Sequence, residues 1–193
     1  MTKPVHASPR QTLAPQPAAR APAAHLAGVA PAVKAKPGGR RLQVRKSGVH
    51  GRGVFALQPI AKGSTVIEYV GEVISWAQAI ARHPHDPSQP DHTFYFHVDD
   101  ERVIDGLVGG NSSRWINHSC APNIEADDSA GRIFLLALHD IHPGEELFFD
   151  YGLVIDERMT PALKKRFECR CGAANCRGCM LAPRRSSGRK AKT

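Results

Sequence analysis

The chain has 193 residues, enough for one domain with tails, and 41% of them are hydrophobic, enough to build a core. The net charge of +8 resides in the tails: residues 1–41 carry seven Lys/Arg and no acid, residues 182–193 carry five and no acid, and the stretch between sets 14 basic against 18 acidic side chains. No apolar run approaches the roughly 18 to 20 residues that span a bilayer, and the first 40 residues lack the apolar core of a signal peptide, so a soluble chain with no membrane contact is expected.

Residues 1–39 hold 11 Ala and 7 Pro with no hydrophobic periodicity, the composition of a disordered arm. Basic tails suit nucleic acid or another polyanion, and equally a solvated arm that only aids solubility. Order is expected from Leu42, with strands over residues 42–45, 53–57 and 65–70 separated by Gly-rich turns. Residues 76–83 read as a short helix ended by Pro84, and residues 83–92, with three Pro, as a loop. Residues 94–98 and 103–105 around Asp99-Asp100-Glu101-Arg102 read as a hairpin, and residues 132–139 and 146–149 as further strands. Many short strands with two or three brief helices predict a mainly β domain, a sandwich or barrel on this pattern alone.

Gly109-Gly110-Asn111-Ser112-Ser113 and Ala121-Pro122-Asn123 are chain reversals that bracket Arg114-Trp115-Ile116-Asn117-His118-Ser119-Cys120. A short helical turn carrying Asn, His and Cys between two reversals is how a site is built. Of the five cysteines, four lie in the last 25 residues, and the single residue between Cys169 and Cys171 strongly disfavours a disulfide between them. A metal and a reducing, intracellular compartment (cytoplasm, nucleoid or nucleus, with delivery into a host cell left open) fit better. Cys169, Cys171 and Cys176 give three thiolates where tetrahedral zinc takes four, leaving Cys120 and Cys179 as candidates for the fourth. Gly51-Arg52-Gly53 does not continue into a Gly-x-Gly-x-x-Gly before a helix, so no dinucleotide fold is indicated.

Five motifs in order carry a resemblance: His50-Gly51-Arg52-Gly53-Val54-Phe55-Ala56, Glu68-Tyr69-Val70-Gly71-Glu72, the Asn-His-Ser-Cys run with Pro122-Asn123, Glu146 to Gly152 through Phe149-Asp150-Tyr151, and Cys-x-Cys-x4-Cys. Over roughly residues 42 to 181 the chain resembles the SET-domain protein-lysine methyltransferases. It lacks a Cys-rich pre-SET region, which implies a minimal form of the bacterial or viral kind. The resemblance implies small β-sheets around a threaded pseudoknot, with a C-terminal zinc-binding post-SET segment. The expected division is a disordered basic arm (1–40), a SET domain (41–155), a post-SET zinc segment (156–181) and a disordered basic tail (182–193).

The resemblance further implies transfer of a methyl group from S-adenosylmethionine to a lysine of a histone, histone-like or other basic protein. His50, Gly51, Arg52 and Gly53 would meet the cofactor, mainly through main chain, with Tyr69, Asn117 and His118 completing its pocket. Tyr151 would be the catalytic residue; Phe94, Trp115 and Phe149 would line the lysine channel, the Phe at 149 favouring di- or trimethylation. Phe94 and Trp115 stand where Tyr and Phe are common. The family's choice of fourth zinc ligand is Cys120, and Met180 or Leu181 would supply an apolar lid. Lys34 and Lys36 in the arm are candidates for self-methylation. The contrasting possibility is a catalytically degenerate SET scaffold that binds nucleic acid or protein. Nothing in the sequence sets the oligomeric state.

Overall fold

The computed structural model describes residues 16–17, 39–83, 88, 92–155 and 157–183. In chain order they form β1 (Gln16–Pro17), β2 (Leu42–Lys46), β3 (Arg52–Ala56), β4 (Thr65–Tyr69), β5 (Glu72–Ser75), helix α1 (Trp76–Arg82), β6 (Tyr95–His97) and β7 (Arg102–Asp105). A 3-10 turn at Ser112–Trp115 leads into β8 (Asn117–His118), then β9 (Ile124–Ser129), β10 (Arg132–Ala137), β11 (Phe148–Phe149), β12 (Leu153–Val154) and helix α2 (Pro161–Arg166). The expected mainly β class is the observed one. Most of the arm, with Lys34 and Lys36, and residues 184–193 of the tail lie outside the described residues.

The strands build small separate sheets instead of one sandwich or barrel: β2 with β3, β4-β10-β9, β5-β7-β6, the pair β8 and β11, and the pair β1 and β12. In β10 the side chains of Ile133, Leu135 and Ala137 alternate inward, meeting Val54, Ala56, Val66, Ile124 and Leu147 in the main core. Ser75 caps α1 through a capping box with Gln78, and the helix stops at His83, just before Pro84. Trp76 and Ala79 of this helix close a second cluster with Ile74, Tyr95 and Val103. Thr160 caps α2 ahead of Pro161, and the helix lays Leu163 and the following Phe167 against Cys179 and Leu181.

Two local expectations change. Asn117 and His118 lie on a strand, not on a helical turn; the turn ends at Trp115, and the chain extends because β8 pairs in parallel with β11. Residues 146–149 do not form one strand. Glu146 bridges Phe55 and the Leu147 N–H donates to the Val54 carbonyl at 2.7 Å, whereas Phe148 and Phe149 pair with β8, so the segment passes from one sheet to another.

Candidate active site and cysteine cluster

The parallel register sets Phe148 opposite Asn117 and Phe149 opposite His118. The Ser119 and Asn123 N–H groups donate to the Phe149 and Phe148 carbonyls, each at 3.1 Å. The buried Asn123 side chain brackets the crossing: its Nδ2 donates to the Glu146 carbonyl at 2.8 Å and its Oδ1 accepts from the Phe148 N–H at 2.8 Å. Sequence reasoning gave Asn123 no role; a buried Asn after a Pro is otherwise read as a turn.

Just beyond β11, Tyr151 is fixed at both ends. Its N–H donates to His118 Nδ1 at 3.1 Å and its hydroxyl donates to the Ile116 carbonyl at 2.9 Å. With Nδ1 accepting, His118 carries its proton on Nε2, 3.4 Å from Cys120 Sγ. Burial pushes the His118 imidazole down to about 4 against the opposing influence of Asp150, so it is neutral near pH 7. Burial also pushes the Tyr151 and Tyr69 phenols up. Both are uncharged hydroxyls, and Tyr69 donates to the Phe94 carbonyl at 2.7 Å.

These residues line a cavity of about 430 Å³, within the usual range for small-molecule sites. His50, Gly51, Arg52, Tyr69, Phe94, Trp115, Asn117, His118, Phe149 and Tyr151 all border it. Gly53 does not: a Cβ there would collide with the Glu146 carboxylate, so this glycine makes room for a side chain. Gly51 has φ of +48° with open space where a Cβ would be, so it serves the left-handed turn of the loop. Asn117 Nδ2 reaches the His50 carbonyl (3.2 Å), the Arg52 carbonyl (2.8 Å) and Glu146 Oε1 (3.1 Å), while the Gly51 carbonyl accepts from the Ser47 N–H at 3.0 Å. The loop carbonyls are thus engaged within the protein, and Asn117 holds the first motif in shape.

A row of rings crosses the cavity. His50 meets His92 edge-on (5.5 Å between centroids), His92 meets Phe94 (4.9 Å) and Phe94 meets Trp115 (5.1 Å). The Arg52 and Arg114 guanidinium groups lie 4.8 and 5.0 Å from the Trp115 ring, which explains a large flat side chain at this position. Phe149, 7% exposed, is 4.8 Å from Tyr151 and stacks on Phe96 at 5.9 Å. His92 and Leu153, neither singled out from sequence, also line the cavity, as does Met180; Leu181 is buried instead in the cluster around Phe167. The aromatic walls and the Arg52 guanidinium suit a ligand with a flat base and an anionic end.

The Sγ atoms of Cys120, Cys169, Cys171 and Cys176 lie within 4.8 Å of one another. Cys120 is 3.7 Å from Cys169 and 3.9 Å from Cys176, close to the ~3.8 Å edge of a tetrahedron with Zn–S bonds of ~2.3 Å. The Arg177 N–H donates to Cys120 Sγ at 3.3 Å, and the Gly178 N–H to Cys176 Sγ at 3.4 Å, as donors around thiolate ligands do. The cluster therefore fits zinc. Cys179 is buried among Leu163, Phe167 and Leu181 and belongs to that small core. Next to the cluster, the Arg177 guanidinium makes two 2.7 Å bonds to Asp150 and, against the effect of burial, holds its carboxyl below the usual range. The cysteine segment is tied by this pair to the residue that precedes Tyr151.

Residues 51–152 match the SET domain, and the chain belongs to the SET-domain family. Its relatives are histone-lysine methyltransferases. It is 36% identical over 137 residues to histone-lysine N-methyltransferase trr of Drosophila melanogaster (68% of this chain, 5% of that protein) and 35% identical over 144 residues to histone-lysine N-methyltransferase SETD1B of Homo sapiens (72% and 7%). To the Candida albicans histone-lysine N-methyltransferase named as H3 lysine-4 specific it is 37% identical over 140 residues (69% and 13%). The chain thus spans only a small part of each of these relatives. Among the described residues no helix is long and apolar enough to cross a membrane.

Proposed function

We propose that this protein is an S-adenosylmethionine-dependent protein-lysine N-methyltransferase acting on a histone, histone-like or other basic protein in a reducing intracellular compartment. The observation that carries the proposal is the setting of Tyr151: a neutral hydroxyl whose proton is engaged by the Ile116 carbonyl, in an aromatic cavity beside Phe149. Its lone pairs are left to accept, which suits orienting an amine and holding a polarised methyl through weak C–H···O contacts. His50, Arg52, Asn117 and Met180 are the residues to hold the cofactor, which supplies a methyl group on a sulfonium.

The aromatic walls have a second task. A free lysine near pKa 10.4 is neutral about once in a thousand at pH 7.4, a deficit of roughly 4 kcal/mol. Desolvation against Phe94, Trp115, Phe149 and Tyr151 lowers that pKa, so no general base is needed. With their pKa values raised, Tyr69 and Tyr151 stay protonated near pH 7 and are not available as proton acceptors. Phe149, with no hydroxyl in the channel, supports di- or trimethylation. One zinc on Cys120, Cys169, Cys171 and Cys176 clamps the C-terminal segment beside the cavity.

Incubation with labelled S-adenosylmethionine and a panel of histones, bacterial histone-like proteins and ribosomal proteins tests this. Label on lysine of at least one protein is expected. Cofactor binding with no label in any of them would point instead to a degenerate scaffold whose basic tails bind nucleic acid or protein.

A further inference from the structure

β1 (Gln16–Pro17) lies in the N-terminal arm. β1 pairs antiparallel with β12, Gln16 opposite Val154 and Pro17 opposite Leu153, and also packs alongside β6. Here β6 is the outer strand of β5-β7-β6, its other edge taken by β7. The strands flanking β1 are both walls of the cavity, since Tyr95 and Phe96 of β6 and Leu153 of β12 line it. β1 thus runs along one side of the cavity, between two of its walls.

The register suits the residues placed in it. The Leu153 N–H donates to the Met180 carbonyl at 3.1 Å, and the Leu153 carbonyl accepts from the Ala182 N–H at 2.8 Å. Leu153 therefore asks for neither donor nor acceptor from β1, and opposite it stands Pro17, which has no N–H to offer. Antiparallel alternation leaves the ladder bonds to Gln16 and Val154. No lysine adjoins β1 in sequence: the nearest are Lys3 and Lys34.

We propose that the stretch around Gln16–Pro17 is a built-in competitor that docks as an added strand between β6 and β12, occupying the groove a substrate peptide needs while offering no lysine. This rests on the methyltransferase function proposed above. A two-residue strand binds weakly, but a tether raises its effective concentration to about the millimolar range, enough to tax a weakly binding substrate without closing the site. The arm would thus set the KM for protein substrate, not kcat.

Gln16→Pro in the full chain removes the ladder donor opposite Val154. Hydrogen exchange at the Val154 amide, slowed in the parent, should speed up about tenfold in the variant. The KM for a histone that the parent accepts as substrate should fall several-fold, up to about tenfold, at unchanged kcat, as expected when an occluded fraction is released. A synthetic peptide of residues 10–24 should inhibit the variant competitively against histone. Equal Val154 exchange in the two chains would overturn the docking, and faster exchange with an unchanged KM would overturn the competition. If neither chain methylates any protein, the functional proposal falls and the competition with it, while the exchange measurement still decides whether the arm docks.

Discussion

Tyr151 shows how much of a residue's chemistry is set by its partners. The hydroxyl donates to Ile116, the N–H donates to His118, and burial keeps the phenol protonated, so what remains is an acceptor aimed by the fold. Tyr151→Phe should lower kcat by about a hundredfold or more while cofactor affinity stays within a few fold, because the lost oxygen acts on the aligned transition state. Single-turnover kinetics with a separate cofactor titration checks both; full turnover would remove Tyr151 from the mechanism. Asn117 has two attachments: it borders the cavity, and its amide N–H groups tie the first motif to Glu146. From sequence an Asn in a motif shows that two hydrogen-bonding ends are wanted, but not which neighbours take them.

Between elements, the cysteine segment is joined to β8 and to the residue after β11. Cys120 follows β8, and Arg177 grips Asp150 next to Tyr151, so a bound metal couples the C-terminal segment to the cavity wall. Metal analysis should find one zinc per chain. Cys120→Ser should release it to a chelator far more readily than Cys179→Ser, since Cys179 packs in the Phe167 cluster; the opposite order would disprove the clamp. The strands that alternate cleanly, such as β10, or that carry β-branched runs, such as β4, were legible in advance. β9 was not, because Glu125, Asp127 and Asp128 give it a polar composition and only Ile124 is buried. Its strand conformation comes from pairing with β10 along its whole length. β11 was overextended for the same kind of reason: nothing local marks where a β-prone run changes partners.

At the scale of the whole molecule, charge is segregated, with basic termini around a middle section that is net acidic by four. A basic protein substrate should be drawn to such a domain over distances of a Debye length, about 8 Å at physiological salt. Raising salt from about 50 to about 300 mM should therefore raise the KM for a histone several-fold and leave kcat nearly unchanged. A salt-independent KM would mean that the walls of the cavity alone recognise the substrate.

By itself, the sequence determined the mainly β class, the five ordered motifs, the thiolate set suited to a metal and the division into basic ends and acidic middle. These are properties of composition, local periodicity and fixed spacing, which need no knowledge of what lies across the chain. Only the tertiary structure decided that Cys120 and not Cys179 joins the other three thiols, that Asn117 and Asn123 brace loops, that Gly53 yields to Glu146, and that Gln16–Pro17 lies against β12. Each joins residues far apart in sequence. Such pairings depend on which surfaces meet once separate sheets have packed, and no local pattern encodes that.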